Sequence, residues 1–262
     1  MQIKHSKLKK VLLKAIKQAG KIAESGFNKK KQVNYKAETD LVTEIDIACE
    51  KKIINIIKNS FPCHDILAEE SQAASLNNDY KWIIDPIDGT TNYFHNFPIY
   101  AVSIAIEYKK EIIMGAVYSP YMKELFFAEK NKGAYLNKEK IKVSKEKDLI
   151  KSLLATGFPY DVKTSKNNNI NLFLSFIKSA QAVRRAGAAS LDLCYTACGR
   201  FDGFWELKLK PWDMAAGYLI LKEAGGYITN FNKTDFTIYN NTVIASNKHI
   251  HEQMTTIIQK TL

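Results

Sequence analysis

Trp82-Ile83-Ile84-Asp85-Pro86-Ile87-Asp88-Gly89-Thr90-Thr91-Asn92 decides how this chain is read. An apolar, strand-like run ends in two carboxylates three residues apart, and a Gly-Thr-Thr turn follows. Carboxylates with carbonyl oxygens between them suit a hard cation such as Mg2+. A glycine-led turn offers backbone N–H groups and hydroxyls to an anion. Cation and anion sites in one loop predict metal-assisted phosphate chemistry at the end of a strand.

The flanking pattern predicts a layered α/β chain. Upstream, Leu8, Val11, Leu12, Ala15, Ile16, Ala19, Ile22 and Ala23 recur at helical spacing, and Gly26 follows as a stop. Ile45 to Ile57 repeats the pattern behind Thr43, an N-cap with Asp46 three residues on. Ile66-Leu67-Ala68 reads as a second buried strand that ends in acids, Glu69-Glu70. From Tyr100 to Val143 strands and turns dominate, with Lys109-Lys110 and Asn137-Lys138 as turns. Strands are expected at 153–156, 204–207 and 243–245, and helices at 172–177, 188–198, 211–224 and 250–258. Pro211 opens one of these helices and Gly225-Gly226 closes it. The chain is expected to be one unit, with an N-terminal α+β half (1–150) that holds the metal loop and a C-terminal α/β half (151–262). The polar stretch 163–169 is the candidate junction or mobile loop.

Bulk properties narrow the function. At 262 residues, 46% hydrophobic and 25% charged, the chain can bury a sizeable core. No apolar run approaches the roughly 20 residues of a membrane span, and residues 1–17 lack the apolar core of a secretory signal. Cys49, Cys63, Cys194 and Cys198 form no CxxC pair, so they read as small core side chains in a reducing, cytoplasmic setting. The formal charge of +11 raises nucleic acid as a partner. Against this, the only arginines are Arg184, Arg185 and Arg200, the lysines are scattered, and no aromatic residues interleave with them for base stacking.

Acids recur near predicted element boundaries: Asp46, Glu69 with Glu70, Asp85 with Asp88, and Asp213. One Asp at a helix start ordinarily caps the helix or offsets its dipole. Several at strand ends can converge on one sheet edge, where α/β proteins place their sites. Phosphate monoesters hydrolyse very slowly unaided, and two cations about 3.5–4 Å apart can stabilise both the attacking and leaving oxygens. No serine or cysteine nucleophile is then needed.

These residues carry a resemblance. Asp85-Pro-Ile-Asp-Gly-Thr-Thr-Asn92 resembles the metal-binding signature of the inositol monophosphatase family. Asp40-Leu-Val-Thr-Glu-Ile-Asp46, Glu69-Glu70-Ser71, and Pro211-Trp-Asp213 with Glu223-Ala-Gly-Gly226 are similar to its other segments, in the same order. Arg184-Arg185 through Trp205-Glu206 resembles its bacterial branch. Ala68 stands where the family commonly has Gly, and Lys36 aligns loosely with a family lysine.

The resemblance implies an alternating α-β-α-β-α sugar-phosphatase fold and a Mg2+-dependent, Li+-sensitive phosphatase with two or three ions per site. It implies that Glu69, Asp85, the Ile87 carbonyl, Asp88 and Asp213 bind metal. Glu69 and Thr90, the latter positioned by Asp46, would activate water. Gly89 and Thr90 would hold the phosphate through backbone N–H groups. Gly187, Ala189, Glu206, Asp213 and Arg184 or Arg185 would meet the substrate. A homodimer and a small phosphate monoester are the implied partners, with RNA polymerase or ribosomal RNA as a second class. Fructose-1,6-bisphosphatase and 3'-phosphoadenosine 5'-phosphate phosphatase are the alternative activities.

Overall fold

A computed structural model describes residues 5–35, 41–71 and 76–262; Lys36 and Asp40 lie outside them. The chain stacks five layers, α-β-α-β-α. The outer helices α1 (His5–Gly26) and α2 (Glu44–Ser60) follow the 3.6-residue spacing of their apolar positions. Between them Val33–Tyr35 (β1) pairs antiparallel with Leu41–Thr43 (β2). Thr43 caps α2 as expected: its hydroxyl accepts from the Ile45 and Asp46 N–H groups, and Asp46 accepts from the Thr43 N–H.

The second layer is a seven-stranded sheet ordered β3 to β9: Asp65–Ala68, Tyr80–Asp88, Ala101–Tyr108, Glu111–Ser119, Glu124–Glu129, Ala134–Leu136 and Glu139–Lys140. Only the β3–β4 pair is parallel, so both strands deliver their carboxyl ends to the same edge. A short helix, α3 (Thr90–Phe94), follows β4. A 3-10 turn (Leu149–Lys151) leads into the five-stranded second sheet, ordered β11-β10-β12-β14-β13. Its strands are β10 (Leu153–Thr156), β11 (Ala182–Arg184), β12 (Gly203–Leu207), β13 (Tyr227–Thr229) and β14 (Thr242–Ser246). Here β11, β10 and β12 run parallel and also share a carboxyl edge. α5 (Ala189–Ala197) and α6 (Pro211–Glu223) fill the layer between the sheets. α4 (Ile170–Ile177) and α7 (His251–Thr261) cover the outer face of the second sheet. The buried side chains form three cores: one between α1, α2 and the first sheet, one around α5 and α6 between the two sheets, and one between the second sheet and α4 and α7.

Four expectations need correction. β4 does not stop before Asp85 but runs to Asp88, with an irregular register against β5 between Asp85 and Asp88. Pro86 has no N–H for the ladder, so the strand bulges there and re-aims the side chains on either side. The Gly-Thr-Thr turn is the start of α3 rather than a simple turn. The stretch 163–169 does not separate the two sheets, because β10 already belongs to the second. Instead Asn169 is buried, donating to the Thr156 hydroxyl and the Gly157 carbonyl and accepting from the Trp205 indole. Cys49 and Cys194 are buried as expected, but Cys63 is exposed just beyond the end of α2.

Candidate active site

The carboxyl ends of β3 and β4 face those of β11, β10 and β12 across a cleft of about 430 Å³. Glu69, Asp85, Ile87, Asp88, Gly89, Thr90, Gly187, Ala189, Glu206 and Asp213 all line it. Asp46 does not, but it reaches the cleft through Thr90, whose hydroxyl lies 3.1 Å from Asp46 Oδ1. Arg184 stays outside, exposed, with its guanidinium donating to its neighbour's carbonyl at Val183 (3.2 Å). Arg185 lines the cleft instead. Successive side chains at a strand end point to opposite sides, which separates the two arginines. A larger hollow, about 880 Å³, lies at the other end of β3 and β4. Its Phe61, His64 and Tyr80 rings stack on one another, and it gathers no set of carboxylates.

Local structure sets each acid. Asp46 has two duties: Oδ2 accepts from the N–H and hydroxyl of Thr43, closing the cap of α2, while Oδ1 faces Thr90. Asp213 closes the start of α6 in the same way, accepting from the Lys210 N–H at 2.7 Å. Asp88 serves a helix 100 residues away. Ala188 precedes α5 and has no side-chain acceptor for its first N–H groups. Asp88 Oδ2 supplies one, accepting from the Ser190 N–H (2.7 Å) and hydroxyl (2.5 Å). Glu50, buried in α2, accepts from the Glu70 N–H and anchors the acidic loop. Gly89 has φ +89, and a β-carbon there would stand 2.9 Å from the Ile99 carbonyl oxygen, so glycine is required.

Burial dominates the electrostatics. It pushes Asp85 well above the carboxylate range, helped by the charges of Glu69, Asp88 and Asp213 and by a hydrogen bond with Glu69. Asp213 rises for the same reason, burial first and then the Asp88 charge. Asp88 is raised by burial, against the pull of its Ser190 bonds. Asp46 rises to about 6 by burial, opposed by Thr43 and Thr90. Glu206 rises to about 8, with burial first, the Asp88 charge adding and Arg185 opposing. Like charges this close cannot all ionise unless positive charge joins them.

The donor set fits a hard cation: carboxylate oxygens, the Ile87 carbonyl, and Asp85 Oδ1, a buried oxygen with no hydrogen-bond partner. Among the described residues, no three His, Cys, Asp or Glu side chains already close into a cage. The acids converge on one cleft without forming a preassembled shell.

The sequence offers Arg185 together with Arg184 without choosing between them, and its spacing does not point to Ser190, Glu50, Lys208 or Lys210. It also misses Asp192, buried in α5 with neither carboxylate oxygen hydrogen-bonded and its proton held by burial and by the Glu206 and Asp88 charges. The proline-led start of α6 could have directed attention to Lys210; nothing local marks the others.

A helix-sheet sandwich of this topology, with acids converging between two parallel strand edges, defines a class. The chain belongs to the inositol monophosphatase family, whose model matches residues 4–262. It is 41% identical over 253 residues to the inositol-1-monophosphatase of Synechocystis sp., covering 96% of this chain and 88% of that protein. It is also 41% identical, over 232 residues, to the Nus factor SuhB of Pseudomonas aeruginosa, covering 87% of this chain and 86% of the relative. The solved inositol monophosphatase of Anabaena (Nostoc) superposes with a TM-score of 0.88 at 38% identity, covering 97% of this chain and 95% of its own. Membership makes phosphatase the activity class and metal dependence the family's general habit. Among the described residues no helix is long and apolar enough to cross a membrane.

Proposed function

We propose that the protein hydrolyses phosphate monoesters of polyols, with myo-inositol monophosphate as the substrate, by direct attack of water. One observation carries this reading: the carboxylates of two strand edges and two helix starts meet in one cleft around the Thr90–Asp46 pair. Glu69, Asp85, the Ile87 carbonyl, Asp88 and Asp213 would hold two or three Mg2+ ions, which when bound neutralise phosphoryl charge and acidify water.

The chain's own groups do the rest. Thr90 has one hydroxyl proton and two candidate acceptors, Asp46 Oδ1 (3.1 Å) and the Ile87 carbonyl (2.9 Å). Donation to Asp46 turns the Thr90 lone pairs outward, where they accept a proton from the attacking water and fix its direction. Glu69, across the cleft, is the second acceptor. The Gly89 and Thr90 N–H groups face the phosphate. Glu206 accepts from a hydroxyl of the alcohol, and Gly187 and Ala189 leave room for its ring. The inversion expected of a single displacement follows from one attacking water.

Phosphate release should appear with inositol 1-phosphate and Mg2+, and disappear with EDTA. More efficient release from 3'-phosphoadenosine 5'-phosphate would overturn the polyol assignment; preference for fructose 1,6-bisphosphate would change the substrate but not the chemistry. The proteins named Nus factor SuhB among the relatives favour a second reading, an accessory role in transcription. Capture of RNA polymerase that survives about 0.15 M salt would support it, and loss at that salt would mark charge attraction alone.

A further inference from the structure

Part of the cleft wall is made by Gly157, just after β10, and Glu206, in β12. The two strands are parallel neighbours, with Thr156 beside Trp205. The Glu206 carboxylate lies against the Gly157 backbone: a β-carbon on Gly157 would stand 2.1 Å from Oε1 and 2.4 Å from Oε2. The place of Gly157 therefore limits where that carboxylate can sit. Trp205 and Glu206 point to opposite faces of β12, and behind the wall Asn169 ties the two strands together. Its amide nitrogen donates to the Thr156 hydroxyl (2.9 Å) and the Gly157 carbonyl (2.6 Å), and its oxygen accepts from the Trp205 indole at 2.8 Å. The Thr156 hydroxyl donates in turn to the Trp205 carbonyl at 2.6 Å. That carbonyl shares a rigid peptide plane with the Glu206 N–H. The bonds close a ring, Asn169 to Thr156 to Trp205 and back, with all three residues buried.

We propose that Asn169 is a positioning residue for alcohol specificity: through Thr156, Trp205 and Gly157 it fixes the Glu206 carboxylate at the reach that a hydroxyl of the alcohol requires. This rests on Glu206 as the acceptor of an alcohol hydroxyl and deepens that role by naming the group that aims it. Trp205, which donates to Asn169, belongs to the apolar core under α4 with Leu154, Leu172 and Phe176, and the Phe176 and Trp205 ring centroids are 4.0 Å apart. Apolar side chains alone can hold such a core, and a buried hydrogen bond adds only about 1 kcal/mol of net stability. What the ring adds is a single geometry. Its bonds polarise one another in a low-dielectric interior, and none can break without leaving a buried polar atom unpaired. Both amide hydrogens and the amide oxygen of Asn169 are used in it. Asn169 holds φ +72 at the start of α4, a left-handed conformation that asparagine tolerates better than most side chains.

Inositol 1-phosphate and p-nitrophenyl phosphate, each assayed with Mg2+, separate positioning from mere loosening, because the nitrophenyl group carries no hydroxyl for Glu206. Asn169→Gly, which suits φ +72, should raise the KM for inositol 1-phosphate about fivefold, the scale of one lost hydrogen bond. Its kcat, and both constants for p-nitrophenyl phosphate, should stay within about twofold of native. Thr156→Val keeps a strand-forming shape, breaks the same ring and should act in the same direction; it carries the test if Asn169→Gly does not fold. In a Glu206→Ala background Asn169→Gly should leave the inositol KM unchanged, because its route to the substrate is gone. A general loosening would instead move both substrates together and persist without Glu206. An equal rise in both KM values, a rise that persists in Glu206→Ala, or a native inositol KM in folded Asn169→Gly and Thr156→Val would overturn the positioning role. A raised inositol KM in Glu206→Ala beside a native one in both ring variants would overturn that role alone. A native inositol KM in Glu206→Ala would overturn Glu206 as the hydroxyl acceptor and Asn169 with it. Phosphate release from neither ester would overturn the phosphatase activity as well.

Discussion

Single residues in this protein hold both a structural and a chemical position. Asp85 is the plainest case: buried, pressed by three neighbouring carboxylates, and with one oxygen lacking a hydrogen-bond partner. Such a group is costly unless a cation completes it. Asp85→Asn should therefore reduce Mg2+-dependent kcat by about 10²–10³-fold, yet leave the metal-free melting temperature equal or higher because one source of repulsion is gone. Near-native kcat, or a large loss of stability, would contradict the assignment. Thr90→Val keeps the shape and removes the hydroxyl. Steady-state kinetics should show kcat down about 10²-fold with KM changed little, and an unaffected kcat would remove Thr90 from the water-orienting role. Arg184 and Arg185 show where residue-level reading stops. The two are chemically identical, and only the end of β11 decides which one meets the cleft.

Elements carry the site because their ends need polar partners. α2, α5 and α6 each have an acid at the amino end, and those three acids are Asp46, Asp88 and Asp213. The need to satisfy free N–H groups at helix starts thus places carboxylates where the cleft can use them. Thr43→Ala tests this coupling. It removes the cap and one of the three hydrogen bonds that hold Asp46, so urea unfolding should show a loss of about 1 kcal/mol, and kcat should fall as Asp46 loosens against Thr90. A full loss of cap energy with unchanged kcat would uncouple the helix start from the chemistry. Most element types are legible from the chain, since apolar periodicity and caps act within a few residues. α1, α2 and α6 fall where the spacing puts them. β4 and α3 do not: Pro86 looks like a strand end, yet the partner strand β5 holds the chain extended to Asp88.

At the scale of the molecule, two sheets bring acids from distant segments into one low-dielectric cleft, and this leaves a signature in stability. Glu206 keeps its proton to about pH 8 in the folded chain, against an ordinary value of 4.5. Between those values the folded state binds more protons than the unfolded one, so stability rises as pH falls. His64 and His251, held down at about 4 by burial, oppose this only below their ordinary 6.5. Calorimetry in EDTA should therefore show the melting temperature rising as pH drops from about 8 to about 6.5, with about 1–2 kcal/mol from Glu206 alone. Saturating Mg2+ should flatten the trend by favouring the ionised acids. A metal-free melting temperature that climbs with pH across this window would contradict the buried-acid picture.

The amino-acid sequence by itself determined the donor chemistry, the order of most helices and strands and the acid-and-glycine loop from Asp85 to Thr90, because spacing, caps and turn residues act over short distances. Only the tertiary structure decided that Asp88 accepts from Ser190, 102 residues away at the start of α5, that Arg185 rather than Arg184 lines the cleft, and that Lys208 reaches Asp161. Those outcomes depend on Coulomb forces and hydrogen bonds between groups that no local pattern relates, and they exist only once the two sheets have packed around α5 and α6.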